Sequence, residues 1–473
     1  MEILPMTNEL PNSLYEAKKT LGVLGMKYEK IHACPNNCCL YRKEFANATK
    51  CPECGQSRWK NVKDRNEERK QIPSKVIWYF PPIPRFKRLF RSIECAENLT
   101  WHASERIEDG YKACPICGDN TNSIMLQHGK KIAYLGHRRF LARDHPYRQQ
   151  KRSFNGKKDL GTIPEPLSGE DLYLKLKDLE FYKGKKIHKN LSMNRSEKIC
   201  WNRLSSFFEF PYWKDLHVRH CLDVMHIEKN ICMNILGTLL DIPGKNKDEL
   251  NARRDLVEQK LRSELAPISS EKKIFIPLAC YTLTKEEKRC VLKTLSRIKV
   301  PEGYSSNIKN LVSITDLKHN SLKSHDCHVL IQQLFPIAIR SVLPKHVRYA
   351  ITRLCIFFNF VCNKVLDAQQ LDKLEEDIVV TLCLFEKYFP LSFFTIMIHL
   401  TVHIVRKVKL CGPIYLRWMY PFERFMKVIK HSVRNRYRLE GCIAESYLIE
   451  EAIEFCSDFL SGVDHVGLGT RKS

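Results

Sequence analysis

From about residue 321 the apolar positions fall at steps of three and four. Val347, Ile351, Leu354, Phe358, Val361 and Val365 form one such series, and Leu371, Leu374, Ile378, Leu382 and Phe385 form the next. That is the repeat of one face of a 3.6-residue helix, and it predicts two amphipathic helices, the second ended by Pro390. A third helix is expected over 392–408. Upstream the patterns are shorter. Ser13-Leu-Tyr-Glu16 carries a capping-box pattern and predicts a short helix over 13–25, and Ser168-Gly-Glu-Asp171 is expected to start another amphipathic helix. Val76-Ile-Trp-Tyr-Phe80 reads as a strand stopped by Pro81 and Pro82. A short basic helix is expected over 84–94, an exposed charged connector from Lys60 to Lys70, and a Lys-rich stretch with two helices over 245–320. No sequence period of a solenoid repeats. The most apolar window, Leu391 to Val405, is broken by His399 and His403 and is too short to span a bilayer, so it predicts a buried helix and no membrane association.

At 473 residues the chain exceeds a single core, and these patterns divide it into 1–75, 76–245, 246–320 and 321–473. Lys and Arg number 78 against 53 Asp and Glu, a net charge of +25, which points to a polyanion such as DNA as partner. The N-terminus MEILPMTNELPNS has no basic and apolar leader pattern, so 20 cysteines are better explained by metal sites and buried thiols than by a disulfide framework.

Two cysteine groups have ligand spacing. Cys34-Pro-Asn-Asn-Cys38-Cys39 is followed after eleven residues by Cys51-Pro-Glu-Cys54-Gly55. Two thiolate pairs across such a loop can close a tetrahedral Zn²⁺ site through Cys34, Cys38, Cys51 and Cys54, with Cys39 and His32 as spare donors. Cys114-Pro-Ile-Cys117-Gly118 lies upstream of His137 and His145, which would complete a second set, with His128 as a substitute. Seven residues separate His137 from His145, longer than the zinc-finger spacing of about three to five. Around them Arg138, Arg139, Arg143, Arg148, Lys151 and Arg152, interleaved with Phe140 and Tyr147, suit phosphate contact and base stacking. Further on, His220-Cys-Leu-Asp223-Val-Met-His226-Ile-Glu228 is dense enough in carboxylate and imidazole to ligate Mg²⁺ or Zn²⁺, or to form a structural ion-pair network. His399-Leu-Thr-Val-His403 resembles half a zinc-protease helix, but Leu400 stands where the general-base Glu would be, so two core histidines are expected. Neither a phosphate-binding GxxxxGK[ST] loop nor a GxSxG nucleophile elbow occurs.

Longer strings carry a resemblance. LYEAKKTLGVLGMKYEKIHACPNNCCLYRKE, VIWYFPPIPRFKRLF, TWHASERIEDG, CPICG with GHRRFLARDHPYR, and YWKDLHVRHCLDVMHIEKNIC resemble plant CACTA (En/Spm-type) transposase. KSHDCHVLIQQLFPIAIR, KLCGPIYLRWMYPFERFMKVIK and NRYRLEGCIAESYLIEEAIEF resemble the helical domain that follows it in that family. The resemblance implies an RNase H-like fold in which acidic residues hold two divalent ions, normally Mg²⁺, for DNA cutting and joining in the nucleus. Between Gly110 and Tyr111, however, the chain passes directly from one family block to a later one, and the segment with the first two catalytic aspartates is missing. DGFNPF does not occur, and the single PG-x-x-x-D match, Pro243-Gly244 to Asp248, falls after the MHIEKN block. Glu228, Glu423 and Asp223 are the candidates for one surviving catalytic carboxylate.

The expected architecture is α+β: an N-terminal zinc ribbon, a partial RNase H-like region and an α-helical C-terminal domain that offers a surface for oligomerisation. The expected function is that of a transposon-derived, zinc-containing DNA-binding protein without productive Mg²⁺ binding. The alternatives are a domesticated protein–protein interaction module and a truncated gene model of an active transposase.

Overall fold

The computed structural model describes residues 28–60, 71–81, 111–177, 212–216, 222–269, 273–299 and 307–459, with Lys19 and Ile83 besides. The helices expected over 13–25 (Lys19 apart) and 84–94, and the connector beyond Lys60, fall outside these residues.

The strands are β1 (Glu29–His32), β2 (Val76–Tyr79), β3 (Ser123–Leu126), β4 (Lys131–Tyr134), β5 (Ile268–Ser269), β6 (Ile274–Phe275), β7 (Val312–Ser313) and β8 (Lys318–His319), paired antiparallel two by two in chain order. The helices are α1 (Pro146–Gln149), α2 (Gly169–Leu176), α3 (Val224–Leu239), α4 (Leu250–Glu258), α5 (Lys285–Arg297), α6 (Ser324–Val329), α7 (Phe335–Ala338), α8 (Lys345–Val361), α9 (Ala368–Tyr388), α10 (Ile396–Leu400), α11 (Ile404–Cys411), α12 (Tyr420–His431) and α13 (Leu439–Phe459). Helix and strand thus mix as α+β. The larger sheet that an RNase H-like core requires is absent among the described residues.

The chain forms two compact units, one of residues 1–100, 181–191 and 420–473, the other of 101–180 and 192–419. In the first, β1 and β2 pair from Glu29↔Tyr79 to His32↔Val76. Tyr28 packs on Trp78 at 4.6 Å between ring centroids, and Phe80 meets Tyr447 of α13 edge-on at 5.3 Å. The strand read over 76–80 is therefore present, and aromatic contacts hold it to the last helix.

The second unit holds the main core. On α8 the predicted stripe Val347, Ile351, Leu354, Phe358 and Val361 is buried, as are Leu371, Leu374, Ile378, Leu382 and Phe385 on α9. Val365 is 87% exposed, because α8 stops at Val361 and the next residues turn toward α9. α3 is buried nearly all round, which explains why its sequence shows an apolar run in place of a stripe. The Lys-rich segment 246–320 contains the two expected helices, α4 and α5. It also adds Leu256, Leu265, Tyr281, Leu292 and Leu295 to this same core. Asp248 receives the Arg253 guanidinium, with Nη2 at 2.6 Å, and the Tyr281 hydroxyl at 2.8 Å. Tyr281 in turn stacks on Phe389 at 4.7 Å. The lone PG-x-x-x-D carboxylate is thus consumed by a buried structural pair.

The single helix expected over 392–408 is broken. A 3-10 turn at Leu391–Phe393 precedes α10, and a second at Thr401–His403 separates α10 from α11. The Thr401 hydroxyl donates to the Ile398 carbonyl at 2.6 Å, a local bond that competes with regular helical pairing and tightens the chain at this point. No helix among the described residues is long and apolar enough to cross a membrane.

Candidate metal centres

The first centre is built by tight turns. Asn37 donates its backbone N–H to the Cys34 carbonyl, and Cys34 donates to the Cys39 carbonyl, folding 34–39 back on itself. In the second half Gly55 donates to the Cys51 carbonyl at 2.9 Å with φ +70°, a conformation that glycine adopts without steric cost. The Sγ atoms of Cys34, Cys38, Cys51 and Cys54 then lie within 4.8 Å of one another, a group that could hold a metal ion. Cys39 Sγ stands 3.6 Å from Cys51 Sγ, so the fifth thiol borders the group. His32 does not join it, since its Nδ1 accepts the Arg58 Nε–H at 2.9 Å. That guanidinium also donates to the Ala46 carbonyl and lies over Tyr41 and Trp59, bracing a loop with a small core.

The protons on these thiols are unequally held. The backbone N–H of Gln56 and neighbouring donors bring Cys54 down to about 6, so it is the thiolate present first. Burial and the adjacent thiols push Cys38 and Cys39 up to about 12. A bound cation would have to displace those protons.

The second centre repeats the turn. Gly118 donates to the Cys114 carbonyl at 2.9 Å with φ +53°, and the Cys117 N–H points at Cys114 Sγ at 3.3 Å. Its other two donors differ from the sequence expectation. Cys117 Sγ lies 3.5 Å from His399 Nε2 and 3.2 Å from His403 Nε2, and Cys114 Sγ lies 3.4 Å from His403 Nε2. All four side chains are buried, and together they could hold a metal ion. His137 and His145 are placed elsewhere. His137 pairs through Nδ1 with Glu386, while His145 caps α1 by accepting the Tyr147 N–H. The two histidines of the apolar window are core residues, as their surroundings predict, but they face thiols.

Several contacts fix this arrangement. The Tyr134 N–H of β4 donates to the Phe394 carbonyl at 2.8 Å, docking the β3–β4 hairpin just ahead of α10. Asp255 of α4 accepts the His128 and Gly129 N–H groups at the hairpin's tip. Phe140 covers the imidazoles, edge-on to His403 at 5.7 Å. Burial opposes ionisation of Cys114, but a hydrogen bond from Cys117 and the imidazoles of His403 and His399 outweigh it and hold this thiol well below its ordinary range. Cys117, which gives that hydrogen bond and is buried, is raised. Burial lowers His403, favouring the neutral imidazole that a metal requires.

The basic residues divide sharply. Arg148 donates to the carbonyls of Asp159, Arg139, Leu141 and Gly161. Arg138 donates to those of Tyr147, Gln150 and Lys157, and lies 4.3 Å from the Phe154 ring centre. Both are buried, so the structure removes them from the expected phosphate-contacting set. The loop 136–161 has little regular pairing of its own, and two guanidinium forks satisfy its carbonyls. Arg139 is half-buried, while Arg143, Lys151 and Arg152 remain exposed.

Of the three carboxylates considered for catalysis, Asp223 caps α3 by accepting the His226 N–H at 3.0 Å. Glu228 is buried on α3 against His328. Glu423 lies on α12, in the other unit.

Comparison with known families gives two matches. Residues 98–179 match the transposase family tnp2, and residues 361–471 match a domain of unknown function (DUF4218). No curated protein and no solved structure matches the chain. The two matches support a transposase-family relationship and a transposon-derived origin. Cys114 and Cys117 fall within the first matched segment, His399 and His403 within the second.

Proposed function

We propose that this chain is a transposon-derived, nuclear DNA-binding protein of the CACTA (En/Spm) kind, built around two structural Zn²⁺ ions and without strand-transfer chemistry. The observation that carries the reading is the joining of the tnp2-like segment to the DUF4218-like segment through the Cys114, Cys117, His399 and His403 group. Four thiolates, and two thiolates with two imidazoles, are donor sets suited to tetrahedral Zn²⁺. Closed sites of this kind leave no position for a substrate, so zinc here would supply stability, and the exposed cations Arg143, Lys151 and Arg152 would supply phosphate contact.

The absence of strand transfer follows from charge. Two-metal catalysis needs several carboxylates to hold ions where negative charge develops on the leaving 3′ oxygen. Asp223 is engaged as a helix cap, Glu228 is grouped with an imidazole and a thiol and no second carboxylate, and the resemblance implies that the blocks bearing the family's first two aspartates are missing.

Duplex binding should weaken steeply with salt, by about 10³-fold or more between roughly 50 and 200 mM if six or more phosphates are contacted. Incubation with Mg²⁺ or Mn²⁺ and element-like terminal repeats should give no nicking. Salt-insensitive capture of a protein partner with no DNA affinity would favour the interaction-module reading. Metal-dependent nicking abolished by Glu423→Gln would overturn the claim of inactivity.

A further inference from the structure

A third group lies apart from both centres. Glu228 on α3, His328 on α6 and Cys362 at the C-terminal end of α8 place a carboxylate oxygen, a ring nitrogen and a sulfur within 4.8 Å of one another. Glu228 Oε2 is 2.6 Å from His328 Nδ1, and the glutamate side chain is 2% exposed. Gln332 reaches both, its Nε2 at 3.1 Å from Glu228 Oε1 and 2.9 Å from His328 Nδ1. Gln332 sits on a π-helical turn, Leu330–Leu334, that follows α6. Such turns are rare and concentrate at functional sites.

Glu228 and Gln332 both approach the one ring nitrogen Nδ1 of His328. An amide N–H from Gln332 can reach Nδ1 only if Nδ1 carries no proton. Nδ1 and Oε2 would then face each other at 2.6 Å as two acceptors. A proton on one of them, at the expense of the Gln332 bond, or a cation beside both resolves the conflict. A buried ion pair accounts for Glu228 and His328, and the Gln332 amide also donates toward the Cys362 sulfur, so one side chain bridges all three candidate ligands.

We infer that Glu228, His328 and Cys362 form a binding site for a divalent late transition metal of the Zn²⁺ class, with Gln332 closing over it when the ion is absent. Mixed oxygen, nitrogen and sulfur donors select such an ion over Mg²⁺. Three protein ligands leave one of four tetrahedral positions open, and the His328 side chain, 14% exposed, is the side from which water would enter. Metal–ligand distances near 2.0–2.3 Å put neighbouring ligand atoms about 3.4 Å apart, so on binding Oε2 and Nδ1 would separate by under an ångström, Cys362 Sγ would adjust from within its 4.8 Å of them, and Gln332 would swing aside.

The test is the difference in bound metal between the full chain and two variants, Cys362→Ser and His328→Gln. Each protein is loaded with Zn²⁺, desalted, and analysed for metal per chain. A variant is scored only if its circular dichroism matches wild type, and His328→Gln serves if Cys362→Ser does not fold. One equivalent fewer than wild type is expected. In Co²⁺-loaded protein, part of the sulfur-to-metal absorption should also vanish in Cys362→Ser. Equal metal content in wild type and a folded variant would overturn the site and leave a buried Glu–His pair. The comparison is a difference, so it is independent of occupancy at the other centres and of the DNA-binding reading.

Discussion

Arg148 and Arg143 are five residues apart in one basic run, and the structure gives them opposite work. The buried Arg148 fork ties together four carbonyls, while Arg143 faces solvent. Arg148→Ala should leave buried carbonyls without donors and cost about 3 kcal/mol or more, read as a lowered denaturation midpoint. Arg143→Ala, Lys151→Ala and Arg152→Ala should leave that midpoint unchanged. Each should reduce the salt slope of DNA binding by roughly one. If Arg148→Ala melts like wild type, the loop is not held as described. Nothing in the sequence separates these arginines, because composition reports charge and not the direction of a side chain. The cysteine pairs were legible for the opposite reason. Their ligand turns are local, and glycine directly after Cys54 and Cys117 marks each left-handed residue.

At the scale of elements, periodicity located α8 and α9 because each buries one stripe. The same signal missed the break at Thr401–His403, where the chain is buried on all sides and has no stripe to interrupt. It also gave no warning that the Lys-rich segment around α4 and α5 belongs to the core. There the buried pair of Arg253 and Asp248, with Tyr281, anchors the segment to Phe389. Asp248→Ala would strand the Arg253 guanidinium in an apolar setting and should destabilise the second unit by about 3–5 kcal/mol. Thermal unfolding measures this directly, and a shift below about 1 kcal/mol would contradict the packing. In the N-terminal loop the buried cluster is mostly the cysteines themselves, with Tyr41. Cys51→Ser should therefore unfold residues 30–60 as a block. Binding energies of about 10–16 kcal/mol for structural zinc exceed what so small a core can replace. Hydrogen exchange over 30–60 should become fast in that variant while α8 and α9 stay protected; retained protection over 30–60 would count against a zinc-dependent loop.

For the whole molecule, the decisive feature is a contact between residues 282 to 289 positions apart in sequence. Local spacing favoured His137 and His145 as partners of Cys114 and Cys117. Folding instead brings His399 and His403 there, through a hairpin docked at Phe394. The i, i+4 imidazole pair was visible in the sequence, but its partners were not, since no local pattern encodes a contact across most of the chain. The same contact joins the two segments that resemble known families, which makes it the point on which the account depends. The most direct measurement is zinc per chain in two double variants of the purified protein, His399→Gln with His403→Gln and His137→Gln with His145→Gln. The first should lose one equivalent and keep the rest, and the second should lose none. Loss of an equivalent from the second pair, with the first at wild-type content, would contradict this.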